Sequence, residues 1–137
     1  MPDPNLLALV VELFRAISSI SGYPAPAVYP DIHFVPHQQL EARVCPSGCS
    51  IRAYYEHGEG VFMDQGLDPQ NDLKARSILL HELVHYVQAG SGRYDAMPQC
   101  QAWHAREIEA YRIQNEYLRR QGSDGTHYVN AIGVRCD

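Results

Sequence analysis

The chain has 137 residues, of which 45% are hydrophobic and 20% charged, and its formal net charge is −5. This length provides one modest hydrophobic core, and the composition excludes a disordered chain. The negative charge excludes a basic surface that would hold nucleic acid or an anionic membrane. We expect one domain, residues 1–137, with no nucleic-acid partner and no membrane span. The sequence leaves the oligomeric state open.

Apolar residues at helical spacing predict a first helix from Pro4 to about Ser19, ending before Gly22. This segment lacks the basic start and the cleavage site of a secretory signal. A proline-rich connector follows, "DIHFV" predicts a short strand, and "HQQLEARV" leaves the type of its element open. Two further strands, Ser50–Glu56 and Gly60–Asp64, are predicted to form a hairpin through "HGEG".

The second half of the chain predicts two long helices. Asp68 is the expected N-cap of the first helix, with Pro69 in its first turn, and this helix runs to Ala89 and stops at Gly90. The second begins at "PQC" and ends before "GSDG", and the remaining tail has no clear period. Strands followed by two long helices indicate an α+β fold, with a small antiparallel or mixed sheet packed on the two long helices and an N-terminal helix.

The chain has four cysteines, and an even number in a chain of this length favours two disulfides and an oxidising compartment. We expect Cys100 to pair with Cys136 and Cys45 with Cys49, among three possible connectivities. The chain would then be a periplasmic or secreted protein in its mature form, without its signal. Two alternatives stay open: a zinc site made of the four thiolates, although their spacing does not match the usual pattern, and free thiols in a cytoplasmic protein.

The segment "SILLHELVHYVQAG" places three polar groups in an otherwise apolar helix. His81 and His85 are four residues apart, so both imidazoles lie on one face, a geometry that suits Zn²⁺. Glu82 lies about 100° further round the helix, where it is suited to be the general base toward a metal-bound water rather than a ligand. The alternative is a chance pattern, but buried polar groups then need other partners.

The last long helix supplies the candidate third ligand. Glu107 shares its face with apolar or half-polar residues and is therefore predicted to point inward, whereas Glu109 and Glu116 fall on the opposite face and are predicted to be solvated. His104 is a weaker rival to Glu107. The inward face comprises Trp103, Ala110, Tyr111, Gln114 and Leu118.

"HELVH" followed by "EIEAY" resembles the gluzincin zinc metallopeptidases, and is especially similar to small bacterial members with a motif like "HELVHYVQ…C…REIEAYRIQ". The resemblance covers about residues 60–122. It implies a zincin-like fold, Zn²⁺ held by His81, His85 and Glu107, and Glu82 as the general base in peptide-bond hydrolysis. Tyr111 stands where many gluzincins carry an acidic residue that orients a ligating histidine. A phenol oxygen can accept the same N–H, more weakly.

The resemblance also implies how substrate would bind. "GVFMD" takes the place of the edge strand that pairs with an extended peptide in zincins, so we expect a peptide or unstructured protein as substrate. Tyr94, His127 and Tyr128, together with Tyr111, are the candidate donors to the oxyanion. The alternative function is a catalytically inert, zinc-stabilised binding or scaffold domain of the same fold. The sequence does not indicate the cleavage preference.

Overall fold

The computed structural model describes residues 3–44 and 51–123, which form four α-helices and a three-stranded mixed sheet. This confirms the predicted α+β class and the small sheet. The element whose type the sequence left open is a helix, α2. The elements in chain order are α1 (Pro4–Ser21), β1 (Ile32–Val35), α2 (His37–Val44), β2 (Ala53–Glu56), β3 (Gly60–Asp64), α3 (Leu73–Ser91) and α4 (Gln99–Arg120).

The sheet has the strand order β1–β3–β2, with β3 parallel to β1 and antiparallel to β2. The predicted hairpin is therefore confirmed, with β2 beginning at Ala53. The interpretation of Gly60–Asp64 as an edge strand is wrong, because β3 is the central strand and all five of its residues are buried. A continuous apolar run is typical of such a strand, and the parallel pairing with β1 covers its other edge. The edge strand that packs against α3 is β2.

Gly60 is needed at the start of β3 because the chain there passes close to the segment before β1. Its φ of 114° lies in the left-handed region, and a Cβ would lie 2.4 Å from the backbone oxygen of Asp31. The next amide, of Val61, donates to that same oxygen at 2.9 Å. Any larger residue would separate β3 from the chain that leads into β1.

Helix α1 begins and ends as its sequence predicts. The Asp3 carboxylate accepts from the Asn5 amide at 2.9 Å, and Gly22 closes the helix in the left-handed conformation. Its buried face comprises Leu9, Val10, Leu13, Phe14 and Ile17. By length and composition, with a mean hydropathy of 1.3, α1 could also cross a membrane. Core helices and signal sequences share these properties, so the absence of a membrane span stays a prediction.

The start and end of α3 differ from the prediction. The N-cap is Asp72, whose carboxylate accepts from the Ala75 amide at 3.0 Å. Asp68 instead begins a separate turn, in which its backbone oxygen accepts from the Asp72 amide at 2.9 Å. The helix continues through Gly90 and ends at Ser91, with Gly92 as its C-cap at a φ of 68°. Both aspartates suit an N-cap, and the sequence could not choose between them. Helix α4 has the predicted limits, after Pro98 and before Gly122.

Helix α3 lies at the centre of the fold, between α1 and α4 and against β2 and β3. Its apolar residues are buried nearly all round, as the sequence predicts, and α4 packs along the face that carries its histidines. One cluster of buried side chains joins these elements: Leu9, Val10, Leu13, Phe14, Ile17, Tyr23, Val61, Met63, Leu79, Leu80, Leu83, Val84, Val87, Ala110, Ile113 and Tyr117.

Candidate metal centre

Two histidines of α3 and one glutamate of α4 meet between the two helices. The Nε2 atoms of His81 and His85 lie 3.2 Å apart, and Oε2 of Glu107 lies 3.0 Å from each of them. This is the set that the sequence predicts as metal ligands. Among the described residues it is the one group of histidine, cysteine and acidic side chains whose ligand atoms lie close enough to hold a metal ion. His104, the weaker rival, and Glu109 are not in it.

The spacing of these three atoms fits a tetrahedral ion. Ligand atoms about 2.0–2.1 Å from a tetrahedral zinc lie about 3.3 Å from one another, and the observed separations are 3.0, 3.0 and 3.2 Å. Two imidazole nitrogens with one carboxylate oxygen are a donor set that zinc accepts, and three protein ligands leave one position for water or substrate. The three residues therefore fit a tetrahedral metal ion such as zinc, with one coordination position left open.

Without a metal, the three groups hold one another by charge. Burial alone would lower the pKa of His85, but the hydrogen bond to Glu107 and the negative charges of Glu82 and Glu107 raise it to about 9. Burial would raise the pKa of Glu107, but hydrogen bonds from His81 and His85 hold it well below its usual range. In the metal-free protein, His85 is therefore protonated, and its positive charge takes the place of the metal ion beside Glu107.

Glu82 lies next to this group without belonging to it. Its side chain is buried and lines the cleft together with His85 and Glu107. Burial raises the pKa of Glu82, an effect that the nearby charges of His81 and His85 and a backbone hydrogen bond at Tyr55 oppose in part. A carboxylate with a raised pKa is a better proton acceptor, which suits the predicted general base.

Each histidine is held at its other nitrogen by a glutamine. Nδ1 of His81 lies 2.9 Å from Oε1 of Gln114, and Nδ1 of His85 lies 2.8 Å from Oε1 of Gln88. Gln114 and Gln88 therefore take the place in which Tyr111 could have accepted this N–H, and the ring of Tyr111 packs against the His81 ring with centroids 4.4 Å apart. Sequence reasoning placed Gln114 on the inward face of α4 but did not assign it a role.

Glu109 is not the solvated residue that its helical position predicts. Its side chain is only 14% exposed, and it accepts from Tyr23 Oη at 2.5 Å, Gln88 Nε2 at 2.9 Å and Arg93 Nη1 at 2.8 Å. The connector after α1 and the loop after α3 cover this side of α4, which a helical wheel of α4 alone does not show. Glu116, by contrast, pairs with Arg119 and Arg120 at 30% exposure.

A cleft of about 740 Å³ opens beside the three candidate ligands. One wall is β2, including Ala53 and Tyr55, and the opposite wall includes Trp103 and Arg106 of α4. Tyr94 lines this cleft, as an oxyanion donor must, and burial together with the negative charge of Glu109 raises the pKa of its hydroxyl. The role of Tyr94 stays a prediction.

Several predicted residues lie outside the described part of the chain: His127, Tyr128, Cys45, Cys49 and Cys136. Cys100, in the first turn of α4, is disulfide-bonded. The pairing of Cys100 with Cys136, and of Cys45 with Cys49, stays a prediction.

Residues 3–136 match a protein family described as a domain of unknown function (DUF6647). The match covers nearly the whole chain, so the protein belongs to this family. No curated protein and no solved structure matches the chain.

Proposed function

We propose that this protein is a zinc-dependent peptide-bond hydrolase of zincin-like fold, with His81, His85 and Glu107 as the zinc ligands and Glu82 as the general base. The observation that carries the proposal is the meeting of three ligand atoms from two helices within 3.0 to 3.2 Å of one another. Two of the ligands and Glu82 line one cleft, so the site is accessible to a substrate.

A bound zinc ion would polarise the scissile carbonyl and make water more acidic. Glu82 takes the proton from the attacking water and passes it to the leaving amine. Its burial supports this role, because the raised pKa of its carboxyl increases its affinity for the proton. The low-dielectric wall that the apolar residues of α3 form around it strengthens these electrostatic effects.

The position of β2 supports a peptide or an unstructured protein segment as the substrate. This strand pairs with β3 on one side only among the described strands, and its residues Ala53, Tyr54 and Tyr55 line the cleft. An extended peptide can add to such an edge through backbone hydrogen bonds, which give affinity with little dependence on side chains. The edge strand expected for substrate is therefore β2 rather than β3.

The disulfide at Cys100 supports a location in an oxidising compartment, outside the cytoplasm. We therefore propose that the protein is periplasmic or secreted.

The test of hydrolysis compares the zinc-loaded wild type with Glu82→Gln on a library of unstructured peptides. The amide keeps the shape of the side chain but cannot accept a proton, so the cleavage rate should fall by about 10²–10⁴-fold, with zinc content unchanged. Glu59→Gln is the matched control, because Glu59 is an exposed residue of the β2–β3 turn, and it should cleave at the wild-type rate. Equal rates for wild type and Glu82→Gln would contradict the proposed base. No cleavage by zinc-loaded wild type would favour the inert binding domain.

A further inference from the structure

Both histidines of the proposed metal centre are oriented by buried amides rather than by carboxylates. Gln114 and Gln88 are 1% and 2% exposed, and their Oε1 atoms lie 2.9 and 2.8 Å from Nδ1 of His81 and His85. An amide oxygen only accepts hydrogen bonds, so each histidine must carry a proton on Nδ1. Nε2 of each ring, the atom nearest to Glu107, is then available for a metal.

The orientation of the Gln114 amide is fixed by Ser77. The Ser77 hydroxyl donates to the backbone oxygen of Lys74 at 2.7 Å, so its oxygen is left to accept from Nε2 of Gln114 at 3.1 Å. Both bonds of Ser77 are kept only when Gln114 turns its NH₂ group toward Ser77 and its oxygen toward His81. Ser77 is itself fully buried, so no water competes for these bonds.

The Gln88 amide is fixed by two groups that can only accept. Its Nε2 donates to the backbone oxygen of Arg106 at 3.0 Å and to Oε1 of Glu109 at 2.9 Å. Glu109 is held in place by Arg93 and by the hydroxyl of Tyr23. The oxygen of Gln88 is therefore left to face His85, and a reversed amide would place oxygen against oxygen.

We propose that Gln88 and Gln114 are positioning residues that fix both ligating histidines as the Nδ1–H tautomer, and that Glu109 acts through Gln88 to orient His85. The inference rests on the metal site of the proposed function and not on hydrolysis. Because both orienting groups are neutral, the centre gains no negative charge from them, and Glu107 is the one anionic ligand. Partners of this kind typically change metal affinity by about 10–100-fold.

The two positions differ in whether a carboxylate can replace the amide, and this difference gives a selective test. A carboxylate at position 114 still accepts from His81, and the Ser77 hydroxyl can give up its bond to Lys74 and donate to this carboxylate instead. At position 88, a carboxylate would face the oxygens of Arg106 and Glu109. We therefore expect Gln114→Glu to hold zinc at least as tightly as wild type, and Gln88→Glu to hold it more weakly.

The experiment measures the zinc dissociation constant by competition with a chromophoric chelator, and records the visible spectrum of the Co²⁺-loaded protein. Gln88→Met and Gln114→Met keep the volume of the side chain but remove the acceptor, and each should weaken zinc binding by about 10–100-fold. Gln101→Met, at an exposed position of α4, is the matched control and should not change the affinity. Thermal unfolding of each metal-free variant shows whether the fold is kept.

The double variant Gln88→Glu with Glu109→Gln is the decisive arm. Exchanging the two side chains restores a donor behind position 88, because an amide nitrogen in the place of Oε1 of Glu109 can donate to the carboxylate at position 88 and to the hydroxyl oxygen of Tyr23. The amide oxygen, in the place of Oε2, still accepts from Arg93. The double variant should bind zinc about tenfold more tightly than Gln88→Glu alone, a coupling that independent sites do not show. The proposal is overturned if both Met variants bind zinc within about twofold of wild type. It is also overturned if the double variant binds zinc no more tightly than Gln88→Glu alone. Zinc binding without hydrolysis would leave this inference standing and refute the proposed activity.

Discussion

The charge balance of the candidate metal centre predicts how the stability of the metal-free protein depends on pH. His85 has a pKa raised from 6.5 to about 9, because Glu107 and Glu82 outweigh the effect of burial. Its folded pKa lies above its unfolded value, so its contribution to stability is fully present below pH 6.5 and is lost as the pH rises through about 9. Glu107, whose pKa is lowered, loses its contribution only in acid, outside this window.

The size of this change in stability follows from the shift in the pKa of His85. Each pKa unit corresponds to about 1.4 kcal/mol, so the rise from 6.5 to about 9 corresponds to about 3 kcal/mol of stability lost between these pH values. His85 is largely buried, so solvent screens this interaction only weakly. Zinc must displace the proton from Nε2 of His85, so the loaded protein should not show this loss, and zinc binding should release protons at pH 7.

The assay is chemical denaturation of the metal-free protein at a series of pH values, repeated for Glu107→Gln. His37, whose pKa is raised chiefly by its hydrogen bond to Asp64, contributes in the same direction in both proteins. The difference between the two pH profiles therefore isolates the centre, and the variant should show a clearly smaller decrease above pH 6.5. Parallel profiles would refute the charge balance described here.

Two other predictions concern the core and the disulfides. Leu83→Ala, at a fully buried position of α3, should lower the free energy of unfolding by about 2–5 kcal/mol. Leu7→Ala, at a position 47% exposed, should change it by no more than about 0.5 kcal/mol; similar losses in urea denaturation would contradict the assigned core. Mass spectrometry of an unreduced digest should find Cys100 linked to Cys136, and a peptide that links Cys45 to Cys100 would show the pairing to be wrong.

The elements and the ligand face of α4 could be predicted from the sequence because they depend on local periodicity. Glu107 points inward because its neighbours one and two turns away, Ala110 and Gln114, are buried, and a helical wheel contains this information. The start of α3 was misplaced because Asp68 and Asp72 carry the same local signal. The order of strands depends on pairing between distant segments, and no periodicity within "GVFMD" shows that β1 lies beyond it.

The residues that surround the site were harder to predict for the same reason. Glu109 lies on the outer side of an isolated α4, and only the packing of the connector with Tyr23 and the loop with Arg93 buries it. Gln114 and Gln88 differ from ordinary helix residues only through the partners that they meet in the folded chain. Neutral amides carry no motif of their own, whereas "HELVH" does.

The zinc content of purified variants tests the central claim most directly. After dialysis against trace zinc, elemental analysis should find about one zinc per chain in wild type, in Glu82→Gln and in the control Glu116→Ala, whose side chain pairs with arginines away from the site. His81→Ala and Glu107→Ala should hold none under the same conditions, because each removes one of three ligands. Full zinc content in Glu107→Ala, or no zinc in wild type, would contradict the proposed metal centre.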